Sequence, residues 1–272
     1  MYGHLELAKW LLSLNVGVDV RAQNDDAIRH ACAIGHLEVA KWLMSLNAGV
    51  DVRAYDDQAF RHCCMFGRLE VAKWLLSLDA GVDVHAKNDG AFRKSCWHGH
   101  LEVAKWLLSL DAGVDVRAHN NGVFRWSCAN GHLEVAKWLL SLNVGVDVRA
   151  YDDLAFRESC VCGHLEVAKW LVSLNVGVDV RACDDQAFRY SCWHGHLEVA
   201  KWLVSLNAGV DVRAQNDDAF QKSCGNQCVE VAKWLMSLDA GVEVRVKNDD
   251  AFRQECGNQC VEVAKWLMSF HK

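Results

Sequence analysis

The chain has 272 residues, 51% of them hydrophobic, a formal net charge of −6 and no proline. That acidic balance argues against a nucleic-acid backbone as partner, because such contacts are made by excess Lys and Arg. No apolar run approaches ~18 residues, so no membrane-spanning helix is expected. The chain starts inside a repeat, and no signal peptide is expected.

The phrase GHLEVAKWL, or a close variant, returns every 32 residues. Its second position is held by His4, His36, Arg68, His100, His132, His164, His196, Cys228 and Cys260, and Trp10, Trp42, Trp74, Trp106, Trp138, Trp170, Trp202, Trp234 and Trp266 keep the same period. A fixed period of this size signals stacked units that touch only their neighbours. The expected fold is an all-α repeat solenoid of helix-turn-helix units with short finger loops. The expected organisation is one domain over 1–272: partial repeats at 1–23 and 248–272, and complete ones at 24–55, 56–87, 88–119, 120–151, 152–183, 184–215 and 216–247.

The unit from Asn88 to His119 reads in three parts. A short first helix is expected over about Gly90 to His98, with an Asp such as Asp26, Asp57, Asp153 or Asp218 at its start as an N-cap. Phe92, Ser95, Cys96 and Gly99 share one face by helical spacing, and Lys94, Trp97 and His98 share the opposite one. Gly99 ends this helix. A longer helix follows over about His100 to Leu110, apolar except for a stripe of Glu102, Lys105 and Ser109, so it needs cover on most sides. In the rest, Val114 and Val116 alternate with Asp115 and Arg117, which predicts a brief extended finger. The Asn-Asp turns that follow, Asn88-Asp89 and Asn216-Asp217, read as solvated finger tips.

Eight of the 13 cysteines (Cys32, Cys64, Cys96, Cys128, Cys160, Cys192, Cys224 and Cys256) fall once per repeat, as a small core residue would. They are expected to be reduced thiols in an intracellular protein. Two Arg series also recur: Arg29, Arg61, Arg93, Arg125, Arg157, Arg189 and Arg253, broken by Gln221, and Arg21, Arg53, Arg117, Arg149, Arg181, Arg213 and Arg245, broken by His85. Both suit bridging to Asp carboxylates and loop carbonyls. The Trp ladder suits packing between repeats.

The helix-turn-helix-finger order, with GHLEVAKWLL in the second helix and AGVDVRA entering the finger, resembles the ankyrin repeat along the whole chain. The departures are the absent Pro, Ala91-Phe92-Arg93 in place of the family's Pro-Leu-His, a connection two residues longer after the second helix, and a finger about three residues shorter. Short or poorly paired fingers are therefore expected. Short-fingered repeats of this kind look similar to ankyrin proteins of giant amoebal viruses. The resemblance implies a non-catalytic protein-interaction scaffold in the cytoplasm (the host's, if viral), monomeric, without cofactor or metal, that binds through a concave face of first helices and fingers.

Variation among the repeats concentrates on that face. One slot reads His30, His62, Lys94, Trp126, Glu158, Tyr190, Lys222 and Gln254, and aromatic residues gather mid-chain. Exposed aromatics on a rigid surface are typical interface anchors. The candidate partner-binding residues are Tyr55, Phe66, Trp97, His98, His119, Trp126, Tyr151, Tyr190, Trp193 and His194. Two other readings stay open: the repeat arm of a larger adaptor, for example one carrying an F-box, and a zinc- or redox-responsive role for the CGNQC pair Cys224/Cys228 and Cys256/Cys260. No phosphate loop, nucleophile–base pair or carboxylate pair is evident.

Overall fold

The computed structural model describes residues 3–14, 17–46, 48–110, 113–226 and 228–238. The last partial repeat, with Cys256, Cys260, Trp266, Arg245 and Arg253, lies outside them. Among the described residues there are fifteen helices, α1 (Gly3–Ser13) to α15 (Val229–Ser237), and no strand. They fall in two compact units, Met1–Ala118 and His119–Lys272, each a stretch of helical repeat solenoid.

In the first unit α2 (Ala22–Ile34), α4 (Ala54–Met65) and α6 (Ala86–Trp97) are first helices, and α3 (Leu37–Ser45), α5 (Leu69–Ser77) and α7 (Leu101–Ser109) are second helices. In the second unit the first helices are α8 (Ala118–Ala129), α10 (Ala150–Val161), α12 (Ala182–Trp193) and α14 (Ala214–Gly225), followed by the second helices α9 (Leu133–Ser141), α11 (Leu165–Ser173), α13 (Leu197–Ser205) and α15. The core repeats as the sequence does. Phe60, Phe92, Phe124, Phe156 and Phe188 are fully buried, joined from each second helix by an Ala-Leu pair such as Ala168 and Leu171. The once-per-repeat cysteines Cys32, Cys64, Cys96, Cys128, Cys160, Cys192 and Cys224 are buried free thiols. Four tryptophans of the second helices are half-buried and bridge repeats: Trp106, Trp170, Trp202 and Trp234 pack on Phe60, Phe124, Phe156 and Phe188 of the preceding repeat, with ring centroids 6.3 Å apart. The α1 helix lacks such cover, and Leu7, Trp10, Leu11 and Leu14 are exposed.

Among the described residues no finger forms a strand, and the turn that follows the Val-Asp-Val-Arg segment is left-handed. Three successive residues, such as Tyr151-Asp152-Asp153 or Cys183-Asp184-Asp185, take left-handed backbone angles with φ of 54–58°. An L-residue there costs roughly 1–2 kcal/mol, and Asp and Asn tolerate it better than most. Two sets of bonds offset that cost. First, the earlier Arg series takes the carbonyls that the left-handed turn leaves without helical partners: Arg157 donates through Nε to the Asp152 carbonyl and through Nη2 to that of Tyr151, each at 2.8 Å. Arg29, Arg61, Arg93 and Arg189 do the same in their own repeats.

Second, the third left-handed residue is buried, which corrects the reading of these acidic turns as solvated tips. Asp25, Asp57, Asp153 and Asp185 are 1–2% exposed. The Asp153 carboxylate accepts the backbone N–H of Asp179, 26 residues on in the next finger, at 3.0 Å, and the Nε–H of Arg149 at 3.1 Å. Asp25 accepts from Asp51 and Arg21, Asp57 from Asp83 beside Arg53, and Asp185 from Asp211 and Arg181. His85 stands in for Arg by meeting Asp89. The Asp is thus a link between successive fingers: the N-cap expected at Asp57 and Asp153 is replaced by a bond to the next finger, while Asp26 and Asp218 ion-pair with Arg29 and Arg189 instead. The Arg side chain continues onto the next repeat, where the Nη1 of Arg149 reaches 3.5 Å from where a Cβ at Gly177 would stand.

Asp153→Ala removes an acceptor from one backbone amide and one guanidinium, and is expected to lower stability by about 2 kcal/mol. Glu166→Ala breaks only the exposed Lys169 pair at 2.9 Å and should cost a few tenths of a kcal/mol. Urea unfolding followed by circular dichroism checks both, and equal midpoints for the two variants would contradict the buried link.

Candidate functional site

The positions that vary between repeats stand on the face of the first helices opposite the buried Phe, Ser and Cys, and on the finger turns. In the first unit, Tyr55 is 55% exposed. It is nonetheless tied into the finger lattice: the Arg29 guanidinium lies 4.7 Å from its ring centroid, and Asn24 donates to its hydroxyl at 3.1 Å. Phe66, 42% exposed, meets His62 edge-on at 6.2 Å. Trp97 and His98 are exposed at the end of α6, with the His98 ring stacked over His100 at 6.5 Å.

In the second unit, Tyr151 lies under Arg125 at 4.8 Å, the arrangement of Tyr55 and Arg29 repeated. Trp126 is half-buried, and the His119 side chain is outside the described set. The structure brings three of the expected residues together: Tyr190 and Trp193 are 5.1 Å apart, and the His194 ring stacks on Trp193 at 5.4 Å and 13°. One residue that sequence reasoning did not place in the site joins them. Lys222 sets its ammonium 4.8 Å from the Trp193 ring, at a cation–π distance. Its signal was available, since Lys222 stands one period after Tyr190 in the same slot. The Trp193 carbonyl is held from the next repeat by Asn226 Nδ2 at 3.2 Å and Cys228 Sγ at 3.4 Å, so this aromatic plate rests on a fixed backbone.

Chemistry elsewhere is muted. Burial holds the thiols of Cys96, Cys128, Cys160 and Cys192 far above their ordinary range, which disfavours the reactive thiolate. Burial also raises Cys228. Among the described residues no three His, Cys, Asp or Glu side chains gather as metal ligands would; the second CGNQC lies outside those residues. Neither are the histidines that follow each first helix free surface groups. The His164 and His196 rings stack on the preceding repeat's Gly131 and Gly163, whose φ of +77° and +80° and 2.6 Å clearance to the ring leave no room for a Cβ. Burial depresses the pKa of both, opposed by the Ala129 and Val161 carbonyls, with His194 adding to the fall at His196.

The sequence profile for ankyrin repeats (3 copies) matches residues 1–88, 92–184 and 160–248. The chain therefore belongs to the ankyrin-repeat family. Among solved structures, it is similar to the crystal structure of the human ASB11 ankyrin repeat domain, at 21% identity and a TM-score of 0.54, over 77% of this chain and 96% of that one. At that identity the likeness concerns the fold. A sequence search of curated proteins finds no match.

The depressed histidines have a consequence for pH. Unfolding returns them to their ordinary value near 6.5, so the unfolded chain binds more protons in the window below it. Their contribution is fully present above pH ~6.5 and is lost as pH falls toward their folded-state values. Thermal melts at pH 7.5 and 5.5 should therefore show a smaller acid-induced drop for His164→Gln/His196→Gln than for the native chain. An unchanged drop would remove these two rings from the account.

Proposed function

We propose that this chain is a non-catalytic interaction scaffold that binds protein partners through the variable surface of its first helices and fingers. Ankyrin repeats generally mediate protein–protein interaction, and the family is typically non-catalytic. The observation that carries the reading is the division of labour among residues. The constant Asp and Arg positions bond to the repeat lattice, whereas the variable slots carry accessible aromatic groups, above all the Tyr190–Trp193–His194 plate with Lys222. Rigid aromatics on a preformed surface lose little freedom on binding. A stable complex needs ~800 Å² from this side, an area that several adjacent repeats can supply. Tyr55, Phe66, Trp97, His98, His119, Trp126, Tyr151, Tyr190, Trp193 and His194 are the proposed contact residues. A monomer acting as one domain over 1–272, in the cytoplasm, without nucleic acid or membrane as partner, belongs to the same proposal. Among the described residues no helix is long and apolar enough to cross a membrane.

Paired affinity capture tests this reading, with the native chain as one bait and Trp97→Ala/Trp126→Ala/Tyr190→Ala/Trp193→Ala, shown folded by its melt, as the other. Partners held by the native bait and lost from the variant are expected. Identical capture by both baits would move the binding surface elsewhere on the molecule.

A further inference from the structure

On the first unit Arg61 keeps one guanidinium nitrogen that no side chain meets among the described residues, although the Asp56 carboxylate feels its charge. In three repeats the Nη1 of the finger-capping Arg is taken by a side chain 29 residues on, whereas elsewhere that slot reads Gly90, Gly122 and Leu154. Arg29 donates to Gln58 at 2.6 Å, Arg157 to Gln186, and Arg189 to Asp218 at 2.9 Å. For Arg61 that slot is Gly90, and a Cβ there would stand 3.2 Å from Arg61 Cδ. Arg61 keeps its two turn carbonyls, Asp56 and Tyr55, but among the described residues no side chain meets its outer nitrogen.

Beside this opening stand Lys94 on α6 and His62 on α4. Lys94 is half-buried and makes no ion pair among the described residues. Burial, followed by the charges of Arg61 and Arg93, lowers its pKa, and burial with Lys94, Arg61 and Arg29 lowers that of His62. The carboxylates around them are already engaged: Asp26 with Arg29, Asp56 with Lys87 at 2.7 Å, Asp57 with Arg53 and Asp89 with His85. The charges of Arg61 and Lys94 attract an anion from outside, with the His62 ring beside them as a neutral polar group, and a guanidinium with an unfilled edge suits a carboxylate. The borders of the opening are apolar, with Phe66 one turn beyond His62 and Trp97 one turn beyond Lys94, both exposed.

We propose that the Gly90 opening, with Arg61, Lys94 and His62, receives a Glu or Asp side chain of a protein segment whose neighbouring aromatic or aliphatic residue packs on Phe66 and Trp97. This rests on the scaffold reading above and gives that scaffold's partner an acidic–apolar character. A protein segment is favoured over nucleic acid because the chain's net charge is −6, which repels a polyanion as a whole while leaving a local cationic pocket to a single carboxylate.

A displayed library of random twelve-residue peptides, selected on the full chain, tests it. Enriched sequences should pair an acidic residue with an aromatic or large aliphatic one, and synthetic versions should bind at least tenfold more weakly to Lys94→Glu and to Gly90→Gln. Gly90→Gln restores the side chain found at Gln58 and Gln186, fills the opening and is expected to fold, because the crowded Arg61 Cδ belongs to a flexible side chain. Enriched peptides without acidic residues, or ones that bind both variants as well as the native chain, would overturn this pocket and leave the scaffold reading standing. No enrichment at all would overturn the pocket too, and with identical capture by the two baits above it would remove the scaffold reading as well. Competition of the peptides by single-stranded oligonucleotide at equal strength would replace the acidic segment by nucleic acid.

Discussion

A carboxylate buried at the foot of each finger accepts the amide of the next finger, and the rest of the structure is arranged to allow it. Asp153 can reach the Asp179 N–H only because three consecutive residues turn left-handed and swing its side chain inward. Arg157 occupies the carbonyls that this left-handed turn exposes. Arg149 then neutralises the buried charge and lies along the glycine of the following repeat. Fingers that in a longer repeat would pair as strands are joined here by side chain to backbone. A charge-assisted hydrogen bond of this kind is roughly twice as strong as a neutral one, so a few of them replace a short ladder.

The same lattice explains where variation is tolerated. Asp and Arg serve the link in nearly every repeat and cannot change without leaving a buried group unpaired. The slot of His30, His62, Lys94, Glu158, Tyr190 and Lys222 bonds to no repeated partner, so its chemistry differs from unit to unit. Gly90, like Gly122 and Leu154, departs from the Gln or Asp found in this slot at Gln58, Gln186 and Asp218, and next to Lys94 it leaves a charged opening.

Much of this was legible in the sequence. The period gave the stacked helices, the spacing of Phe92, Ser95 and Cys96 gave the buried face, and the recurrence of Arg and Cys marked both as structural. The fingers were not legible. Asn-Asp and Asp-Asp pairs read equally well as solvated turns, and whether Asp153 faces water or an amide 26 residues away is decided by a backbone that non-glycine residues rarely adopt. For the candidate site, the aromatic slots were visible, but their company was not. Tyr55 and Tyr151 are half-committed to Arg29 and Arg125, whereas Tyr190 and Trp193 form a plate completed by Lys222, because contacts between repeats depend on which residues share a slot one period apart.

The measurement that bears most directly on the buried link is amide hydrogen exchange, read residue by residue, at Asp51, Asp83, Asp179 and Asp211. These amides sit in loops without strand partners, yet each donates to a carboxylate of the preceding finger. They are predicted to exchange as slowly as the interior of the neighbouring second helices. Exchange at the rate of an open loop would contradict the account and leave the stack held by helix packing alone.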